Sequence, residues 1–251
     1  MDEWFRTYYG RDYAESVASR LTPERTRAEV DFLVSLMDPG DGPRRVADLG
    51  AGQGRHAIEL KRRGHAVTAV ELNPEFVEAG RRAEPPGVPP IRWVAGDMRR
   101  VVPGPYDAVL ILFQSFGFFS DGANADLLAD WSRQVAPGGL LVVDVWNLAT
   151  LLGRWAPTFR LETPSVVVDH QQRWDPVKHR LSIHYIYHRD GKAPREYDAS
   201  FRLYSEAELT ELFASVGFGR IQCFGSLIGD AYTEKSSRLV MAARRSPSRS
   251  R

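Results

Sequence analysis

The stretch Val46-Ala47-Asp48-Leu49-Gly50-Ala51-Gly52-Gln53-Gly54 constrains the fold most, because an apolar run stops at three glycines in five residues and runs on into helix-forming sequence. Such spacing marks a strand that turns tightly, lets the backbone approach a ligand and opens a helix. The alternation then continues. Short apolar runs at 46–49, 66–71, 91–94, 106–112 and 140–145 are separated by helix-like stretches, the pattern of βαβ units around a parallel sheet. Asn73-Pro74 reads as a helix N-cap with proline at the first helical position, and Pro137-Gly138-Gly139 as the stop between a helix and the fifth strand. The expected fold class is α/β, with five strands wound right-handedly.

The flanks differ from this core. Residues 1–21 carry Trp4, Phe5, Tyr8, Tyr9 and Tyr13, an aromatic segment expected to lie over the sheet edge or over a ligand. Thr22-Pro23 opens a helix whose Val30, Leu33, Val34 and Met37 share one face. After Trp146 come three strand-like runs at 165–174, 180–189 and 196–204; in the second, Leu181, Ile183, Tyr185 and Tyr187 alternate with Ser182, His184, Ile186 and His188. That period of two marks an antiparallel sheet with unlike faces. Ser205-Glu206-Ala207-Glu208 is a capping box for a helix ended by Gly217, and strands follow at 218–224 and 238–243. The expected organisation is an aromatic segment (1–21), a core (22–154 and 205–243), an inserted antiparallel β lid (155–204) and a disordered basic tail (244–251).

Composition narrows the functional classes. With 43% hydrophobic and 26% charged residues the chain is globular, and its longest apolar run, 108–113, is far short of the roughly 18 residues that cross a membrane. Lys and Arg number 33 against 32 acids, but four of the arginines fall in 244–251, which leaves 29 against 32 before them. A slightly acidic body disfavours an extended nucleic-acid surface. Cys223 is alone, so an intrachain disulfide and a Cys-rich zinc site are excluded. The first residues lack a basic-then-apolar leader, and the expected location is cytoplasmic. His184 and His188 stand four apart, but on a strand that separates them by about 13 Å, too far for one metal ion. No metal site is expected.

Three carboxylates give the glycine turn its chemistry. Glu71 ends the second strand about 20 residues beyond the glycines, where a carboxylate takes the hydroxyls of an adenosine ribose. Asp97, in Gly96-Asp97-Met98, can accept from an adenine amino group while Met98 packs on the ring. Asp48 precedes the first glycine, where its oxygens can serve an ammonium group. These positions lie along the carboxyl ends of consecutive strands, where open α/β sheets bind ligands.

The set Asp48/Gly50/Gly52/Gly54, Glu71 and Asp97-Met98, with Val135-Ala136-Pro137-Gly138-Gly139, resembles the class I methyltransferases that use S-adenosylmethionine. The resemblance covers roughly 22–146 and returns at Gly217-Phe218. It implies a Rossmann-like, mostly parallel seven-stranded sheet in the order 3-2-1-4-5-7-6, its last pair antiparallel. It also implies S-adenosylmethionine as cofactor and S-adenosylhomocysteine as product. By the same resemblance Glu71 and Leu72 hold the ribose and Asp97-Met98 border adenine. Gly50-Ala51-Gly52 then lie beside the methionine part, Tyr13 covers its carboxylate, and Leu112, Phe113 and Gln114 complete the cofactor set. The competing dinucleotide fingerprint G-x-G-x-x-G is broken, since its third glycine position is Arg55. A pyrophosphate would also sit poorly among Asp48 and Glu71, which suit a sulfonium cation.

The acceptor side is less determined. Strand four ends in Gln114-Ser115-Phe116-Gly117-Phe118, and the [DNS]-P-P-[YFW] corner of DNA amino-methyltransferases is absent. The layout resembles small-molecule methyltransferases, including sugar N-methyltransferases, in which the inserted sheet roofs the acceptor pocket. Phe116, Phe118, Trp146 and Arg202 are the substrate candidates. No catalytic residue is assigned, His184 and Tyr204 being the candidates for a hydroxyl acceptor. The expectation is methyl transfer to an N or O atom of a small molecule by in-line displacement, in a monomer or homodimer with no membrane partner. An RNA- or protein-modifying methyltransferase and a non-catalytic S-adenosylmethionine-binding protein are the alternatives.

Overall fold

The computed structural model of the chain describes residues 3–37, 42–86 and 90–246. The aromatic N-terminus forms α1 (Phe5–Tyr8) and α2 (Arg11–Ala18), and α3 (Pro23–Leu36) follows, capped by the Thr22 hydroxyl, which accepts from the Arg25 N–H. The alternating core runs β1 (Arg45–Leu49), α4 (Arg55–Arg62), β2 (Ala66–Glu71), α5 (Pro74–Ala83), β3 (Arg92–Ala95), β4 (Tyr106–Ile111), α6 (Asp121–Ser132) and β5 (Val135–Trp146). A short α7 (Leu148–Gly153) leads to β6 (Thr158–Glu162), β7 (Val167–Asp175), β8 (Arg180–His188) and β9 (Arg195–Arg202). Then α8 (Glu206–Ser215), β10 (Phe218–Phe224) and β11 (Arg238–Arg245) return to the core.

Seven strands form one sheet in the order β10-β11-β5-β4-β1-β2-β3. With the lid strands set aside, this is 6-7-5-4-1-2-3, as the resemblance implies. β1 to β5 pair in parallel, and β11 runs antiparallel to both β5 and β10. Both faces are covered, which explains the near-continuous apolar runs. Val46, Val67 and Ala108 pack toward Val30 and Leu33 of α3 on one face, while Leu49, Val70 and Ile111 join the cluster on the other. Side chains as fully buried as Leu49, Leu110 and Ile111 each contribute about 1.5–3 kcal/mol.

The second sheet has four strands, in the order β6-β7-β8-β9, where three were expected. β6 escaped because Thr-Phe-Arg-Leu-Glu, although it alternates, is a short edge strand with only two apolar residues and mostly exposed side chains. Its register is held by Phe159 stacked 4.0 Å from His170 and by Arg160 paired with Asp169 at 2.6 Å. Two further expectations need correction. Pro137-Gly138-Gly139 does not stop α6, which ends at Ser132; it forms a bulge inside β5, where pairing jumps from Tyr106↔Val135 to Ala108↔Leu140. Nor do Arg244 and Arg245 belong to a tail. Arg244 and Arg245 continue β11, Arg244 donating to the Leu36 carbonyl at 2.7 Å, while residues 247–251 lie outside the described residues.

The N-terminal aromatics join the two sheets. Tyr8 stacks on Tyr185 of the lid (4.6 Å), Tyr9 stacks on Phe118 of the core (5.4 Å), and Trp4 meets both Phe118 and Phe201 edge-on. Buried Asp12 pairs with Arg189 and accepts from the Tyr197 hydroxyl at 2.7 Å, fastening α2 to the lid.

Candidate functional site

Parallel pairing aligns Leu49 with Val70 and Ile111, so the loops after β1, β2 and β4 open at one sheet edge. There a cavity of about 340 Å³ lies between this edge and α1–α2. The glycine turn is left-handed at Gly50 (φ 70°) and Gly52 (φ 59°). A Cβ on Gly50 would stand 2.8 Å from Ser115 Oγ, whereas one on Gly52 would meet nothing and point into free space. Glycine is thus required at the first for packing and at the second for access.

Glu71 organises this turn. It is 7% exposed, its Oε2 accepts from the Gly52 N–H (2.8 Å) and its Oε1 from the Asn73 N–H (2.7 Å). Burial raises its pKa, against the pull of the two backbone donors. Asp48 has no such support: its Oδ2 is buried without a partner, and burial pushes its pKa up to about 7, Arg55 opposing and Glu71 adding to the shift. Beside it Arg55, the first residue of α4, pairs through Nη1 with buried Glu29 and leaves Nη2 buried and unpartnered. These are one acceptor and one donor, both on residues of the cavity wall.

Of the residues expected to hold a cofactor, Tyr13, Asp48, Gly50, Ala51 and Gly52 line this cavity, as do Glu71, Leu72, Asp97, Met98, Leu112 and Phe113. Asp97 is not free as expected. Although burial opposes it, Arg99 holds its carboxyl below the usual range through a side-chain contact of 2.6 Å and a backbone N–H at 2.9 Å. Gln114 faces elsewhere: its Oε1 accepts from the Trp146 N–H at 2.6 Å, and it lines a second cavity. Phe113 and Gln114 have positive φ, 54° and 67°, a strained conformation costing about 1–3 kcal/mol each that accumulates at functional sites. Buried Asp144 enforces it, its side chain accepting from the Phe113 N–H (2.9 Å) and its carbonyl from the Gln114 N–H (3.0 Å).

The second cavity, about 510 Å³, lies under the lid and shares Tyr9, Tyr13, Val17 and Phe113 with the first. Four of the substrate or catalytic candidates, His184, Arg202, Tyr204 and Phe116, line neither cavity. His184 sits on the outer lid face, 3.0 Å from Asp198, and lines neither cavity. Arg202 and Tyr204 are locked behind the lid: Arg202 pairs with Glu208 (2.6 Å) and Asp121 (3.2 Å) and lies 4.4 Å over the Tyr204 ring, whose hydroxyl accepts from Asn124. Phe116 is fully buried against Tyr204. Phe118 lines the first cavity and Trp146 the second.

Sequence reasoning missed Arg55, treated only as a broken fingerprint, and His170, on the inward face of β7 beside Val168 and Gln172. Burial lowers the His170 pKa to about 4, so the ring is neutral at pH 7, and its Nδ1 lies 3.2 Å from the Val168 carbonyl. Among the described residues no group of three or more His, Cys, Asp or Glu is placed to hold a metal, and no helix is long and apolar enough to cross a membrane.

Comparison with known proteins agrees with this geometry. Residues 46–139 match the family model of a methyltransferase domain. A demethylmenaquinone methyltransferase of Deinococcus radiodurans is 36% identical over 106 residues, 40% of this chain and 42% of that protein. A tRNA 5-carboxymethoxyuridine methyltransferase of Escherichia coli is 31% identical over 122 residues, 47% of this chain and 46% of that protein. The chain thus spans less than half the length of either curated relative. The solved structure of the CcbJ methyltransferase from Streptomyces caelestis superposes with a TM-score of 0.82 at 23% identity, covering 98% of this chain and all of that one. Residues 46–139 thus resemble a methyltransferase domain, and they lie on a sheet of order 3-2-1-4-5-7-6 whose fold the chain shares with the CcbJ structure.

Proposed function

We propose that the protein transfers the methyl group of S-adenosylmethionine to an N or O atom of a small molecule held under the lid. The observation that carries this reading is the pair of unpartnered buried atoms, Asp48 Oδ2 and Arg55 Nη2, at the glycine turn. A buried polar atom without a partner costs about 1–3 kcal/mol. An ammonium for Asp48 and a carboxylate for Arg55 are the two charged groups of an amino acid, so these residues fit the methionine part. Glu71 would take the ribose hydroxyls, and Leu72 and Met98 would border the base. When bound, S-adenosylmethionine supplies a methyl group already activated on sulfur, and S-adenosylhomocysteine remains after transfer. The chain's own task is alignment and exclusion of water, met by Tyr9, Tyr13 and Phe113 between the cavities. The curated relatives are named for methylation of demethylmenaquinone and of a tRNA 5-carboxymethoxyuridine; a roofed cavity with aromatic walls supports a small acceptor over a polymer.

Isothermal titration with S-adenosylmethionine, S-adenosylhomocysteine and NAD tests the donor. Micromolar binding of the adenosyl pair without NAD is expected, followed by transfer of a labelled methyl group to a member of a small-molecule panel. Binding of NAD alone, or of none of the three, would discard the reading.

Asp48 adds a pH dependence. A cationic ligand binds its ionised form, so affinity for S-adenosylmethionine should rise as pH passes about 7, by about tenfold between pH 6 and 8. Asp48→Asn should flatten that profile, and an equal rise in the variant would assign it to another group. In the ligand-free protein the sign is opposite. A carboxyl whose folded pKa lies above its unfolded one holds an extra proton when native, so its contribution to stability falls as pH rises from about 4 to 7.

A further inference from the structure

The two cavities carry opposite charge. The first presents Asp48, Glu71 and Asp97 against Arg55 alone, which suits a cationic donor. The second is lined by Arg20, Arg25, Arg154 and Arg238, and among its described lining residues there is no Asp or Glu. Two of the four arginines are already neutralised: Arg25 pairs with Glu29 at 2.8 Å and Arg238 with Asp144 at 2.7 Å. Arg20 and Arg154 are exposed, and neither guanidinium has a hydrogen bond or ion pair among the described residues. Both nevertheless line the cavity, together with Tyr13 and His170. Much of the remaining wall of this cavity is flat rings, with Tyr8 stacked on Tyr185 and His170 on Phe159, and Trp146 and Trp155 beside them in the lining. Neutral His170 leaves the arginines as the charged groups of the wall.

Resting on the methyltransferase reading above, we infer that the acceptor is a planar acid, its ring among these aromatics and its carboxylate or phosphate held by Arg20 and Arg154. Arginine binds such groups through paired N–H donors, and flat walls favour a flat guest. The donor's own carboxylate does not need this pair, because Arg55 Nη2 stands beside Asp48 in the other cavity.

The test titrates the full chain, saturated with S-adenosylhomocysteine, with 4-hydroxybenzoate, phenyl phosphate, 4-hydroxybenzamide and tyramine. At least one acid should bind about tenfold tighter than the amide, as expected for a charge-assisted contact, and which of the two does so identifies carboxylate or phosphate. Arg154→Gln and Arg20→Gln should each erase most of that preference while keeping S-adenosylhomocysteine affinity within about twofold of the parent. Equal binding of acids and amide, tighter binding of tyramine, or no binding of any probe would overturn the inference. So would a parallel loss of S-adenosylhomocysteine affinity in both variants, which would assign the arginines to the donor. Failure of the parent to bind S-adenosylhomocysteine sinks the donor reading instead, and the same probes titrated into the free protein still judge the cavity.

Discussion

Glu71→Ala should lower the affinity for S-adenosylhomocysteine about a hundredfold or more while the chain stays folded. Two contributions lead to that size. Direct loss comes first: each hydrogen bond from a ligand hydroxyl to a buried carboxylate is worth about 1.5–3 kcal/mol, and a ribose offers two. The second is indirect. Glu71 holds the Gly52 N–H at 2.8 Å and the Asn73 N–H at 2.7 Å, so without it the glycine turn and the start of α5 lose their common acceptor. That loss costs about 1–3 kcal/mol of stability, a drop that thermal denaturation detects without abolishing the fold. Glu71→Gln is not a silent control, because its amide would turn N–H donors toward one of these backbone N–H groups. Glu71→Asp keeps the charge with a shorter reach and should fall between the parent and the alanine variant. Calorimetry on the three proteins decides it. Parent-like affinity in Glu71→Ala would remove Glu71 from the ribose role and leave it a purely structural acid.

The walls of the first cavity were legible because their signals are local. Glycine spacing dictates a turn, and the end of β2 dictates where the next acid stands, so Gly50, Gly52 and Glu71 come together with no knowledge of tertiary packing. The cavity under the lid depends on which way a strand faces. The alternation in β8 separated Tyr185 from His184 correctly, but only packing against Tyr8 of α1 shows that the tyrosine face turns inward. Arg202 and Tyr204 were placed near the cleft by their position at a strand end. In the fold, Asp121 of α6 and Glu208 of α8 draw Arg202 to the opposite side. Arg55 was unreadable for a related reason: its free nitrogen has meaning only beside Asp48 from β1 and Glu29 from α3, which the fold brings together from separate elements. Arg244 and Arg245 looked like a solvated tail because nothing local reveals the carbonyls of Leu36 and Val135 that receive them.

Gly117→Ala should be among the most destabilising single-methyl additions in the chain, at about 3 kcal/mol, because it acts where the lid is fastened to the core. Gly117 has φ 97°, a region that L side chains rarely adopt, and leaving glycine there costs more than the ~1 kcal/mol that a compatible site would gain. Its added Cβ would stand 2.2 Å from the Arg202 carbonyl oxygen, and backbone cannot rotate away as a side chain can. Nor can the loop retreat, since the Gly117 carbonyl accepts from the Arg202 N–H at 2.7 Å. Relief therefore separates the end of β9 from the segment after β4, and overpacking of this kind typically costs about 1–3 kcal/mol beyond the dihedral strain. For a chain of this length ~3 kcal/mol lowers Tm by roughly 6–12 °C. Gly122→Ala is the matched control. It lies in the first turn of α6 with nothing within 4 Å of the new carbon, and alanine there should be neutral or stabilising by up to ~1 kcal/mol. Because β9 also carries Phe201 into the cavity under the lid, a displaced lid should weaken binding of the proposed acceptor while S-adenosylhomocysteine, whose proposed site is formed by the turns after β1 and β2, keeps its affinity below the lowered Tm. Equal melting temperatures for Gly117→Ala and Gly122→Ala would show that the junction yields freely. The lid would then be held by its other contacts, such as Arg202 with Asp121 and Glu208 and the aromatic packing of α1, rather than by this junction.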